Sequence, residues 1–149
     1  MKKNTIFIAF AVMTAVPAQA QTLGYILGNS YSKDVVSFST STGKLVNVFS
    51  DGFGTGTTFA VGSDDNTLYI PAEAGGLNSG VLNVVSGQTG QLLNSVSLVG
   101  QGEKAVISSD GSTVYVQTAT ATSGGIVEIS TATLTSQQDT NLSIQLVCT

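Results

Sequence analysis

The chain has no histidine, no arginine, one cysteine and five lysines in 149 residues. Without histidine there is no Ser-His triad, no histidine-ligated haem and no access to the commonest zinc ligand. The one cysteine, Cys148, cannot form a disulfide or a thiolate metal cluster within the chain. It reads as an incidental thiol on a frayed end or as a link between molecules. Two of the lysines, Lys2 and Lys3, lie at the extreme N-terminus, so the remainder sets three lysines against nine acidic residues. So few cations give no footprint for a phosphate backbone, and an anionic membrane repels such a chain, so nucleic acid is excluded as a partner. There is no P-loop or dinucleotide fingerprint. Gly52, Gly54 and Gly56 alternate in DGFGTGTT but stand between two strand signals, without the helix that phosphate binding needs.

The N-terminus has the build of a signal peptide. Lys2 and Lys3 give a positive start, Ile6 to Val16 an apolar stretch, and Ala18-Gln19-Ala20 a small-x-small cleavage site. The apolar stretch is shorter than the ~20 residues of a transmembrane helix, and residue 21 is Gln rather than a lipid-bearing Cys. Residues 1–20 are therefore expected to be removed. Residues 21–149 are expected to form one domain, exported to the periplasm or the exterior, with no membrane span in the mature chain.

What the chain does have is a repeat. GSDDNTLYI at 62–70 returns as SSDGSTVYV at 108–116, and a third Tyr, Tyr25, stands upstream at a similar spacing. Short alternating runs bounded by Gly, Asp, Asn and Ser read as strands at 23–27, 35–39, 44–49, 58–61, 67–70, 81–85, 91–96, 105–107, 113–116 and 126–129. No window after residue 20 has the period of an amphipathic helix. The unit is four strands long: A before the Asp turn, B with the Tyr, C ending at Ser39, Ser86 or Ser130, and D after the Thr-Gly turn. The repeats run over about 23–50, 57–97 and 103–139, and the first lacks strand A.

YILGN at 25–29, YIPAE at 69–73 and YVQTA at 115–119 each precede a hairpin: VVSFSTSTG at 35–43, LNVVSGQTG at 82–90 and IVEISTATL at 126–134. The turns SDDN at 63–66 and SDGS at 109–112 lead into the next Tyr strand. In these elements the chain resembles the YVTN-type β-propeller repeat of exported and surface-layer bacterial proteins. The resemblance implies an all-β fold of antiparallel four-stranded blades, a partial propeller of about 2.7 blades. It departs from the pattern where Gly43 and Gly90 become Leu134, where the third D strand is polar, and where the hairpin Asp is Ser. Propellers usually close with about four to eight blades. A longer reading frame, a homo-oligomer completing a ring, or collapse into a small sandwich would each answer the shortfall. The segment NLSIQLV at 141–147 reads as an exchanged strand A for the first blade or as a displaced D strand.

Asp64, Asp65 and Asp110 lie in turns, where Asp bonds its own backbone. Calcium needs six to eight oxygens, and no such spacing appears. No catalytic residue, cofactor or metal is expected. A meander sends the B–C and D–A loops to one end of each blade. Tyr31, Lys33, Asp51, Phe53, Glu73, Gln101 and Glu103 fall in those loops and are the candidate binding residues, for a protein or a small ligand. The expected role is a noncatalytic binding scaffold. The alternatives are a structural cell-surface component, or part of a lactonase-like or periplasmic oxidoreductase-type propeller enzyme.

Overall fold

A computed structural model describes residues 22–27, 34–50, 58–76 and 78–139. Those residues form eleven strands in chain order: β1 (Leu23–Leu27), β2 (Asp34–Ser39), β3 (Leu45–Ser50), β4 (Ala60–Val61), β5 (Thr67–Glu73), β6 (Ser79–Ser86), β7 (Leu92–Val99), β8 (Gln101–Ile107), β9 (Thr113–Ala119), β10 (Gly124–Ser130) and β11 (Ser136–Asp139). They make three antiparallel meanders: β1-β2-β3, β4-β5-β6-β7 and β8-β9-β10-β11. The three are the partial first blade and the two four-stranded blades.

Registers repeat between blades. Tyr25 pairs with Ser37, Tyr69 with Val84, and Tyr115 with Glu128. Blades one and two share a β-bulge at the same place, opposite Ser37–Phe38 and Val84–Val85, where Val46 and Leu93 are the extra residues of strand D. Because side chains alternate across a sheet, equal register sends equivalent residues to equivalent faces.

Several strands outrun their sequence signals. β5 continues through Pro71 to Glu73, and β8 begins at Gln101. Pro71 has no N–H to give a ladder, but β4 pairs only with Leu68 and Tyr69, so Pro71 lies beyond its end. Blade two passes to blade three through one residue, Gly100, at φ 89°. Its N–H donates to the Asn78 carbonyl at 3.1 Å, and a Cβ there would stand 2.7 Å from the Ala119 carbonyl oxygen.

The core lies between blades. Blades one and two enclose Val35, Leu68, Ile70 and Val85, with Tyr25, Leu27, Phe49 and Phe59 packed against them. Blades two and three enclose a larger cluster that includes Tyr69, Leu82, Val84, Val114, Val116, Val127 and Ile129. Stacked blades, rather than two closed sheets, set aside the small-sandwich expectation.

Candidate functional site

At one end of the blades the A–B turns carry the repeat's acidic residues. In blade two, Asp64 Oδ1 accepts from the N–H groups of Asn66 (3.0 Å) and Thr67 (2.8 Å), and Oδ2 accepts from the Thr67 hydroxyl (2.6 Å). In blade three, Asp110 accepts from the Ser108 hydroxyl (2.6 Å) and from the Ser112 N–H (3.0 Å) and hydroxyl (2.9 Å). Asp65 and Gly111 follow at φ 55° and 73°, the left-handed region that both residue types tolerate. The Ser108 hydroxyl, then the Ser112 N–H and hydroxyl, hold the Asp110 carboxyl down at about 2. Burial pushes the Asp64 carboxyl up, but the Thr67 hydroxyl and the N–H groups of Thr67 and Asn66 outweigh it, so the net shift is downward. These carboxylates are occupied by their own turns.

A second contact ties the residue before each strand B, in blades two and three part of the A–B turn, to the C–D turn of its blade. The N–H groups of Thr40, Gly87 and Thr131 donate to the carbonyls of Thr22 (3.1 Å), Asn66 (2.6 Å) and Ser112 (2.9 Å). One acceptor then separates the blades. In blade three the Thr131 hydroxyl donates to the Gly111 carbonyl at 2.9 Å. The equivalent carbonyl in blade two, of Asp65, receives the Tyr25 hydroxyl of blade one at 2.9 Å. Position 87 is glycine, and the Tyr25 ring fills the space beside it. Tyr25 also meets Phe59 edge-on, ring centroids 6.5 Å apart. Burial, then the Asp64 and Asp65 carboxylates, push the Tyr25 phenol up.

At the other end stand three of the seven predicted binding residues. Tyr31, Lys33, Asp51 and Phe53 lie outside the described residues. Glu73, Gln101 and Glu103 are described, on strands rather than in loops. Glu73 is the last residue of β5, Gln101 the first of β8, and Glu103 the extra residue in a bulge between Gly102 and Lys104. The structure brings them to one end of the seam between blades two and three. Glu73 pairs with Gly80, and a Cβ on Gly80 would stand 2.7 Å from the Gly102 nitrogen. The loop expected to hold Gln101 and Glu103 is the single residue Gly100.

Two shallow depressions lie elsewhere. One of about 160 Å³ sits between blades one and two beside Leu23, Val46, Asp64 and Gln88. One of about 180 Å³ lies on blade three beside Thr113, Glu128, Thr135 and Gln137. Both are below the ~300 Å³ at which small-molecule sites begin. Among the described residues no group of three Cys, Asp or Glu side chains is assembled as a metal site.

No protein-family model matches the chain, and no curated sequence matches it. Solved structures do. Hydrazine synthase of Kuenenia stuttgartiensis matches with a TM-score of 0.62 and 21% identity over 78% of this chain and 32% of its own. A dihydro-heme d1 dehydrogenase, NirN, matches with 0.59 and 13% over 79% and 24%. A putative 6-phosphogluconolactonase of Bacteroides fragilis matches with 0.53 and 17% over 83% and 36%. These are β-propeller proteins, and the likeness is one of fold. The chain folds as a partial β-propeller of about 2.7 blades. It spans roughly a quarter to a third of the length of the structures it matches.

The sequence reading passed over the outward face of blade one, which carries Ile26, Phe38 and Val48. Aligning the repeats by register, rather than by their polar turns, marks it: Ile26 stands where Ile70 is buried.

Proposed function

We propose that this chain is an exported, noncatalytic β-propeller repeat protein of the YVTN type that serves as a binding scaffold. The observation that carries this reading is the use of Asp64 and Asp110, whose oxygens accept from their own turns and so hold the scaffold together. Together with the lack of His and Arg, this leaves little to do acid–base or anion-holding chemistry. Glu73, Gln101 and Glu103, gathered at the seam of blades two and three, are the residues offered to a partner. Export follows from the signal-like N-terminus.

The test pairs an activity with a capture. The purified protein is expected not to speed glucono-δ-lactone hydrolysis above its spontaneous rate. When immobilised in an envelope extract it is expected to retain a discrete partner, which the Glu73→Ala/Gln101→Ala/Glu103→Ala protein does not retain. Lactone turnover would overturn the noncatalytic reading. Equal retention by the triple variant would move the binding site elsewhere.

A second reading, part of a propeller enzyme, draws on the names of the matched structures, a hydrazine synthase, a dehydrogenase and a putative lactonase. Ordered sheets formed by the protein alone would favour the third, a structural surface component.

A further inference from the structure

The chain's two end blades present unlike faces. Blade two docks on blade one through Leu68, Ile70 and Val85. By strand register the same positions in blade one are Gly24, Ile26 and Phe38, on the face that points away from blade two. The rows continue across the sheet: Ile26 pairs with Val36, Val36 with Val48, and Phe38 with Leu45. The Phe38 ring lies over Gly24, with its Cε2 2.8 Å from where a Cβ would stand.

This open face is more apolar than its covered counterpart. Val36 and Val48 stand where blade two has Asn83 and Ser95, which hydrogen-bond to each other at 2.7 Å. Ile26 is 56% exposed against 2% for Ile70, and Leu45 and Val48 are 63% and 50% exposed. Burial in water-facing proteins runs the other way, so a face more apolar than its buried equivalent marks a surface meant to be covered.

The outward face of blade three differs. Its central row is Val106, Tyr115, Glu128 and Gln137, and the row beside it pairs Gln117 with Ile126, so its apolar residues are divided by polar ones. A two-chain ring would press Glu128 and its glutamines onto Ile26 and Val48 and leave a carboxylate buried against hydrocarbon. Only an apolar face matches an apolar face, and among the described residues the outward face of blade one is the apolar one.

We propose that two copies of the chain pack blade one against blade one, sheet on sheet about a two-fold axis, as an isologous dimer. The inference rests on the partial-propeller scaffold reading. The partner capture tests the opposite seam, so the two succeed or fail separately. Each copy contributes roughly 400 Å² of apolar surface, and two such patches bury about half of a standard interface, which sets a weak dimer.

Sedimentation equilibrium of the full chain across the micromolar range tests it. The wild type is expected to be a monomer–dimer mixture, and Val48→Lys to weaken dimerisation at least about tenfold, while Gln117→Lys on blade three leaves it unchanged. In a Cys148→Ser background, Val48→Cys is expected to crosslink to itself through a short bismaleimide, which also reads the contact if Val48→Lys disturbs folding. A monomer at every concentration would overturn the proposal. So would a dimer weakened by Gln117→Lys, which is the ring contact. A dimer lost on removing residues 140–149 yet indifferent to Val48→Lys would assign the contact to strand exchange instead.

Discussion

Tyr25 and Gly87 fit one another across the seam of blades one and two. A Cβ at position 87 would stand 2.5 Å from Tyr25 Cζ, so the ring occupies the space a side chain there would need. The Gly87→Ala protein is expected to lose about 1–3 kcal/mol through overpacking. Gly125→Ala, where the nearest atom lies 3.7 Å away, is expected to be unchanged or to gain up to about 1 kcal/mol. Urea unfolding of the pair checks this, and equal midpoints would show that the ring does not hold the blades together.

The Tyr25 hydroxyl contributes separately. Tyr25→Phe keeps the ring and removes the donor to the Asp65 carbonyl. The loss is expected to be about 0.5–1.5 kcal/mol, smaller than for Gly87→Ala. Combining the two should cost less than their sum, because both act on one contact.

The C–D turns separate backbone strain from contact. Gly43 and Gly90 hold equivalent places at φ 64° and 75°. Nothing lies within 4 Å of a Cβ at Gly43, whereas one at Gly90 would stand 2.5 Å from Phe49 Cγ. Gly43→Ala is expected to cost about 1–2 kcal/mol, the left-handed penalty alone. Gly90→Ala is expected to cost at least about 1 kcal/mol more, since it also displaces Phe49. Thermal melts of both variants read the difference directly.

Acid weakens the A–B turns in a defined window. The Asp110 carboxyl is lowered from 3.8 to about 2. A depressed carboxyl stabilises the folded state fully above its unfolded value and loses that contribution as pH falls through the folded one. The urea midpoint is expected to fall between about pH 4 and pH 2, and Asp110→Ala to lower it at neutral pH and flatten that limb. An unchanged acid limb in the variant would show that the turn does not depend on the charge.

Alkali acts on the blade seams. Burial, then nearby carboxylates, raise the phenols of Tyr25 (Asp64 and Asp65) and Tyr69 (Asp64) above 10.0. A raised group stabilises the fold fully below its unfolded value and loses that contribution as pH climbs through the folded one. Phenolate absorbance from these two residues is expected above the ordinary range, together with loss of strand circular dichroism. Tyr25→Phe should remove one of the two steps.

Much of the scaffold is legible in the residues. Ser-Asp-Asp-Asn and Ser-Asp-Gly-Ser mark turns because Asp bonds its own backbone, and alternation after them marks the Tyr strands. Strand ends were less legible. Pro71, Glu73, Gln101 and Glu103 read as loop, yet they lie on strands, because stacking against the next blade, rather than local pattern, orders them. Leu134 looks like a defect beside Gly43 and Gly90. It takes the same left-handed conformation, φ 54°, and packs on the core between blades two and three. Burial there offsets the conformational cost.

The sequence by itself determined the all-β meander, the repeat and its register, since period-two alternation and turn chemistry are local and recur three times. Only the tertiary structure decided which of two chemically similar faces is covered. Ile26 and Ile70 are the same residue in the same strand position, and the presence of a neighbouring blade makes one of them surface and the other core. It likewise decided that Tyr25 serves blade two rather than its own blade, because that contact depends on an absent side chain at position 87. No local pattern records what a distant glycine makes room for.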